Sequence, residues 1–107
     1  MPEIDYEAAL DATREEWIRV RFTTVGGRVV TYTVQYETTV DGLRVPVVRF
    51  DNAHGFPHRD LLDRNGRVIE KRAIAGNPDP GEALTQGQRD IRTNWRRYRA
   101  AFFGEHA

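Results

Sequence analysis

The sequence predicts a single α+β domain, residues 1–107, in which an antiparallel β-meander of four to five strands is flanked by helices. Three observations predict it. Polar and apolar residues alternate through much of 17–50, glycine-containing pairs interrupt the β-rich stretches, and apolar residues recur at helical spacing over 81–103. A chain of 107 residues that is 39% hydrophobic and 30% charged suits one small core.

The first element is predicted to be an N-terminal helix over residues 5–15. Asp5 can cap its start, Ala8 and Ala9 favour helix, and Glu7 suits a first turn. We therefore expect a helix before the sheet and a long helix after it, with both packed on one face.

The strands follow, and glycine turns separate them. Ile18, Val20 and Phe22 alternate with polar neighbours, which predicts a half-buried strand that ends at Gly26-Gly27. A long β-rich stretch over about 28–40 then ends at a second hairpin signal, Asp41-Gly42.

The third strand is predicted over about 43–50. It contains Pro46, which cannot donate a hydrogen bond to a neighbouring strand, so we expect a bulge or an edge segment there. Residues 51–58 have no period and many turn formers, which indicates a loop or a strongly bent strand. Two further β segments flank Asn65-Gly66, a third hairpin signal.

The last element is predicted to be a helix over about 81–103. Asp79 is its expected cap, Pro80 suits its first position, and Glu82 completes a capping box. An apolar stripe predicted to pack on the sheet consists of Leu84, Ile91, Trp95, Tyr98 and Phe102. A second stripe, about 100° away, consists of Arg89, Arg92, Arg96 and Arg99.

The net charge of zero is a sum of unequal parts. Residues 1–16 carry six acidic side chains and one arginine, whereas the remainder of the chain has a net charge of +5. Fifteen of the sixteen basic residues are arginine, whose planar fork binds phosphate or carboxylate through two hydrogen bonds. If the acidic segment lies far from the arginine stripe of the last helix, we expect that stripe to bind RNA or an acidic protein.

Candidate catalytic residues cluster in the loop between the third and fourth strands. His54 and His58 could act as general acid and general base beside Asp51, and Arg59 could stabilise charge on a phosphorus centre. This set predicts a ribonuclease that needs no cofactor. A second interpretation is a turn in which histidine and aspartate satisfy backbone groups.

A metal site is a third interpretation of the same segment. Asp51, His54, His58 and Asp60 offer nitrogen and oxygen ligands. Gly55 and Pro57 oppose the helix that would place both imidazole rings on one side, and no glutamate follows the first histidine. The prediction is therefore that the site holds no metal.

Other chemistries are excluded by composition. The chain contains no serine and no cysteine, so serine and thiol nucleophiles are absent, as is a disulfide framework. It has neither a run of about 18 apolar residues nor a signal-peptide pattern, and we expect a cytoplasmic protein.

A family resemblance enters at the same segment. The sequence from Phe50 to Arg59 resembles the Tyr-Asp-Asn-x-x-Gly…His-Arg segment of the TumE-like toxins of toxin–antitoxin pairs, or of a sister family of small bacterial proteins. Asp90-Ile91 resembles the Asp-Ile/Val pair of their C-terminal helix. The resemblance implies a toxin that acts on RNA or translation and is neutralised by an antitoxin protein.

The partners expected from these observations are an antitoxin, RNA and a second copy of the chain. The alternative is a non-enzymatic interaction module that binds a partner protein through its acidic segment or its arginine stripe.

Overall fold

The computed structural model describes residues 2–105, and it is an α+β structure with one open sheet and one helix. The strands are β1 (Glu3–Ala9), β2 (Glu16–Val25), β3 (Arg28–Val40), β4 (Leu43–Asp51), β5 (His58–Leu62) and β6 (Val68–Ala73). The helix α1 spans Pro80–Phe102. Each strand pairs antiparallel with the next, so the sheet order is β1-β2-β3-β4-β5-β6.

The prediction of an N-terminal helix is wrong, because residues 3–9 form the edge strand β1. The side chains alternate between the two faces of the sheet: Asp5 and Glu7 point to one face and Tyr6 to the other. The carboxylates pair with arginines of β2 and β4, which outweighs the helix preference of Ala8 and Ala9. The predicted count of four to five strands is also wrong, because the sheet has six strands once β1 is included.

The hairpin predictions are confirmed. Gly26-Gly27, Asp41-Gly42 and Asn65-Gly66 lie between consecutive antiparallel strands, and each of these glycines has a positive φ. The pairing of β3 with β4 shifts register next to Pro46, where Tyr36 opposes Val48 and Glu37 opposes Pro46. This is the predicted bulge.

The helix prediction is confirmed to within one residue at each end. Asp79 is the N-cap, and its Oδ1 accepts a hydrogen bond from the backbone N–H of Glu82 at 2.9 Å. The apolar stripe of α1 packs on the sheet, with Ile91 and Trp95 buried in the core. Its sheet partners are Ile18, Val20, Tyr32, Val34, Tyr36, Val48 and Phe50.

The helix covers only one face of the sheet, which defines a helix face and an open face. Residues that oppose each other across neighbouring strands share a face. The open face therefore carries two rows that cross all six strands and are polar except at Ala73. One row is Asp5, Arg21, Thr33, Asp51, His58 and Ala73; the other is Glu7, Arg19, Gln35, Arg49, Asp60 and Lys71. In the described part of the chain, no helix is long and apolar enough to cross a membrane.

Candidate functional site

Asp51, His58 and Asp60 meet on the open face, at the junction of β4 and β5. Asp51 and His58 are cross-strand partners, and Asp60 lies two residues beyond His58 on the same face. The sheet ladder therefore fixes the three side chains side by side, and one ligand atom from each lies within 4.8 Å of the others. All three are buried, with residue exposures of 8%, 1% and 4% respectively.

Both ring nitrogens of His58 face oxygen atoms. Its Nε2 lies 2.9 Å from Asp51 Oδ1 and 3.6 Å from Asp60 Oδ2, while its Nδ1 lies 3.3 Å from the backbone carbonyl of Phe56. Lys71, on β6, places Nζ 3.1 Å from Asp60 Oδ1. The two buried carboxylates are thus held beside one ammonium group and one imidazole.

The segment 52–57 covers this cluster. Asn52 fixes its start, because Nδ2 donates to the carbonyl of Val30 at 2.9 Å and Oδ1 accepts from the N–H of Tyr32 at 3.2 Å. His54 is exposed, and its ring stacks on His58 with the ring centroids 5.6 Å apart. The structure therefore brings together three of the four predicted catalytic residues: Asp51, His54 and His58.

Arg59, the fourth predicted catalytic residue, points to the opposite face of the sheet. It opposes Phe50, and its guanidinium donates to Glu70 Oε1 at 2.7 Å and to the hydroxyl of Tyr98 at 3.5 Å. That hydroxyl donates in turn to Asp90 at 2.6 Å. Burial and this hydrogen bond raise the pKa of Tyr98 to about 12. Arg59 therefore belongs to a network between β5, β6 and α1, and the sheet separates it from the histidines.

The arginines of α1 lie on the helix side of the molecule. Arg89, Arg92 and Arg96 are exposed, and within residues 2–105 none of them forms an ion pair with a carboxylate. Arg96 lies over the ring of Trp95, 4.4 Å from its centroid. Arg99 differs, because its Nε bonds the buried carboxylate of Glu16 at 3.3 Å. The sheet also separates this stripe from the histidine cluster.

The acidic residues of β1 point away from α1. Asp5 lies 3.2 Å from both Arg19 and Arg21, and Glu7 lies 2.8 Å from Arg44, all on the open face. The hydrogen bond from Arg19 lowers the pKa of Asp5, and the one from Arg44 lowers the pKa of Glu7. Much of the neutrality of the chain is thus internal pairing on the open face, which leaves the helix side positive.

Sequence reasoning missed two features of the open face. One is Lys71, which completes the charged cluster around Asp60. The other is a groove of about 310 Å³ on the same face, lined by Arg19, Arg21, Thr33, Gln35, Glu37 and Arg49. The available signal was the alternation of polar and apolar residues along the strands, because this alternation places the polar residues of aligned strands on one face.

The fold and the site define an α+β protein with an open polar sheet face and an arginine-bearing helix. Residues 1–107 match the family model described as "Domain of unknown function (DUF7718)", and the chain belongs to that family. No curated protein and no solved structure matches the chain. The resemblance to TumE-like toxins stays a prediction.

Proposed function

We propose that this protein is a non-enzymatic module that binds RNA through the arginine stripe of α1. One observation carries the proposal: Arg89, Arg92 and Arg96 are exposed on one side of α1 without a carboxylate partner in the described chain. They recur every three or four residues, so they are spaced along the helix at intervals of roughly 4.5–6 Å.

The charge distribution supports a polyanionic ligand. Residues 80–102 contain five arginines and two acidic residues, and one of the latter, Asp90, accepts the hydrogen bond of Tyr98. The carboxylates of β1 are on the other face of the sheet, paired with arginines there. The positive field at α1 is therefore not cancelled locally, which favours binding of phosphate groups.

The geometry supports ribonuclease chemistry less well. Acid–base cleavage requires both histidines and a cation around one phosphate. Arg59 and the arginine stripe lie across the sheet from the histidines, and Lys71, on the same face as His58, is paired with Asp60. The ring of His58 is buried with an oxygen facing each nitrogen. Binding without cleavage therefore accounts for more of the observed arrangement.

Fluorescence anisotropy with a labelled single-stranded RNA of about 20 nucleotides tests the proposal at about 50 and about 200 mM salt. The variant Arg89→Gln/Arg92→Gln/Arg96→Gln is expected to bind at least tenfold more weakly. Loss of three phosphate contacts should reduce the salt slope of log K by about 2. The control Arg21→Gln/Arg28→Gln/Arg67→Gln removes the same charge elsewhere and should retain most of the affinity.

Two outcomes would contradict the RNA-binding proposal. Equal loss of affinity in both triple variants would show that only net charge matters. Undiminished affinity of the Arg89→Gln/Arg92→Gln/Arg96→Gln variant would show that the arginine stripe does not bind RNA. Gel electrophoresis of the same mixtures reports cleavage, and intact RNA is expected.

The toxin hypothesis is the second candidate, because the structure does place Asp51, His54 and His58 together. Expression without a partner should leave growth and cellular RNA normal if the protein is a binding module. Growth arrest that the variant His58→Ala abolishes, with wild-type and variant expressed at equal level, would favour the toxin instead.

A further inference from the structure

We infer that Asp51, His58 and Asp60 form a binding site for one divalent transition-metal ion. The His58 Nε2 and a carboxylate oxygen of each aspartate all lie within 4.8 Å of one another. The nitrogen is 2.9 Å from Asp51 Oδ1 and 3.6 Å from Asp60 Oδ2. Ligands that bind one ion at about 2.0–2.2 Å lie roughly 3–3.5 Å apart, so the two spacings from His58 are close to those around a bound ion.

The second ring nitrogen of His58 is placed to support an ion at Nε2. Nδ1 lies 3.3 Å from the carbonyl oxygen of Phe56, which can only accept a hydrogen bond. The carboxylate of Asp51 at Nε2 is likewise only an acceptor, so the ring without an ion can donate from either nitrogen, and an ion bound at Nε2 would leave Nδ1 to donate to Phe56. A backbone carbonyl that orients a histidine in this way is the usual support for a metal-binding Nε2.

The charge of these groups also favours a cation between them. Two carboxylates are buried here, and Lys71 supplies one positive charge at 3.1 Å from Asp60 Oδ1. In the described chain this Oδ1 is a buried atom without a hydrogen-bond partner, and Oδ2 is the oxygen of Asp60 that faces His58 Nε2. Buried carboxylates are stable when they are paired or coordinate a metal.

The ligand set indicates the class of ion. One imidazole nitrogen and two carboxylate oxygens suit Zn²⁺ or Mn²⁺, and three protein ligands leave positions for water. The three ligands lie on the adjacent strands β4 and β5. A helix that places His54 and His58 on one side is therefore not needed for this site. The site lies across the sheet from the arginine stripe, so it stands independently of RNA binding.

Isothermal titration of the chelator-treated chain with ZnCl₂ tests the site, with MnCl₂ and MgCl₂ in parallel. We expect one Zn²⁺ per chain and a rise in Tm on addition of the ion. The variant Asp51→Asn/Asp60→Asn should bind at least tenfold more weakly. The control Asp5→Asn/Glu7→Gln removes two carboxylates from the same face and should bind as the wild type does.

Nuclear magnetic resonance of the wild-type chain makes the test independent of whether the variants fold. Zn²⁺ should shift the Nε2 resonance of His58 and leave its Nδ1 protonated. The inference is overturned if no saturable binding occurs, if the shift appears on another histidine alone, or if the Asp51→Asn/Asp60→Asn variant is folded by circular dichroism and binds Zn²⁺ undiminished.

Discussion

At the scale of single residues, one buried carboxylate joins the helix to the sheet. Glu16 has a residue exposure of 4% and accepts hydrogen bonds at Oε1 from Tyr36 at 2.6 Å and from Thr38 at 2.7 Å. Its other oxygen accepts from Arg99 of α1 at 3.3 Å. Burial and the bond to Glu16 raise the pKa of Tyr36. A buried charge of this kind is stable only while its partners remain.

Tyr36→Phe tests this residue network. It removes one hydrogen bond to a buried carboxylate, so the free energy of unfolding should fall by about 2 kcal/mol. The matched control is Tyr6→Phe, which deletes an exposed 3.0 Å bond to Gln88 and should cost about 0.5 kcal/mol. Urea unfolding measures both. Equal effects of the two variants would show that Tyr36 does not stabilise Glu16.

At the scale of elements, local patterns predicted most of the sheet and the helix. Local signals were the turn glycines, the bulge at Pro46 and the cap at Asp79. The strands and the helix that they delimit could therefore be predicted from the sequence. β1 was missed because Ala8 and Ala9 favour a helix in isolation. Cross-strand pairing with Arg19 and Arg21, which are distant in sequence, decides the outcome.

The site was predictable only in part, for a related reason. The sequence of segment 51–60 indicated which residues could carry chemistry. Side chains alternate between the two faces along β5, however, so His58 and Arg59 lie on opposite faces of the sheet. That separation follows only if β5 begins at His58, where the sequence indicated a loop. The position of the arginine stripe depends on which sheet face α1 covers, and this is a tertiary property.

The contact between α1 and the sheet gives a prediction at the element scale. A Cβ at Gly87 would lie 3.2 Å from both Cβ and Cγ of Phe50, so Gly87→Ala should overpack the interface. This cost offsets the helix preference of alanine, about 1 kcal/mol, and we expect a net loss of up to about 2 kcal/mol.

The matched control for this prediction is Gly81→Ala in the same helix. Its added Cβ would meet only Asp79 Oδ1 at 3.5 Å, an ordinary contact, so thermal unfolding should show no loss of stability. A higher Tm for Gly87→Ala than for wild type would mean that Phe50 moves freely and that the packing argument is wrong.

At the scale of the whole molecule, the sheet divides two chemically different surfaces. The open face pairs its charges internally and holds the Asp51–His58–Asp60 cluster. On α1, by contrast, Arg89, Arg92 and Arg96 are exposed without a carboxylate partner in residues 2–105. The core between α1 and the sheet contains three of the four tyrosines at least in part: Tyr32, Tyr36 and Tyr98. These three make the stability of the entire fold sensitive to alkaline pH.

Burial raises the pKa of Tyr32 and of Tyr98 to about 12, and it raises that of Tyr36 as well. Because the unfolded chain ionises near pH 10, the folded state binds more protons above that value. The contribution of Tyr32 and Tyr98 to stability is therefore complete below about pH 10 and is lost as the pH rises through about 12. At about pH 11 the near-ultraviolet tyrosinate absorbance of the native chain should be less than half that of the chain in concentrated urea. Equal absorbance in the two, with native circular dichroism retained in buffer, would contradict the burial of these rings against α1.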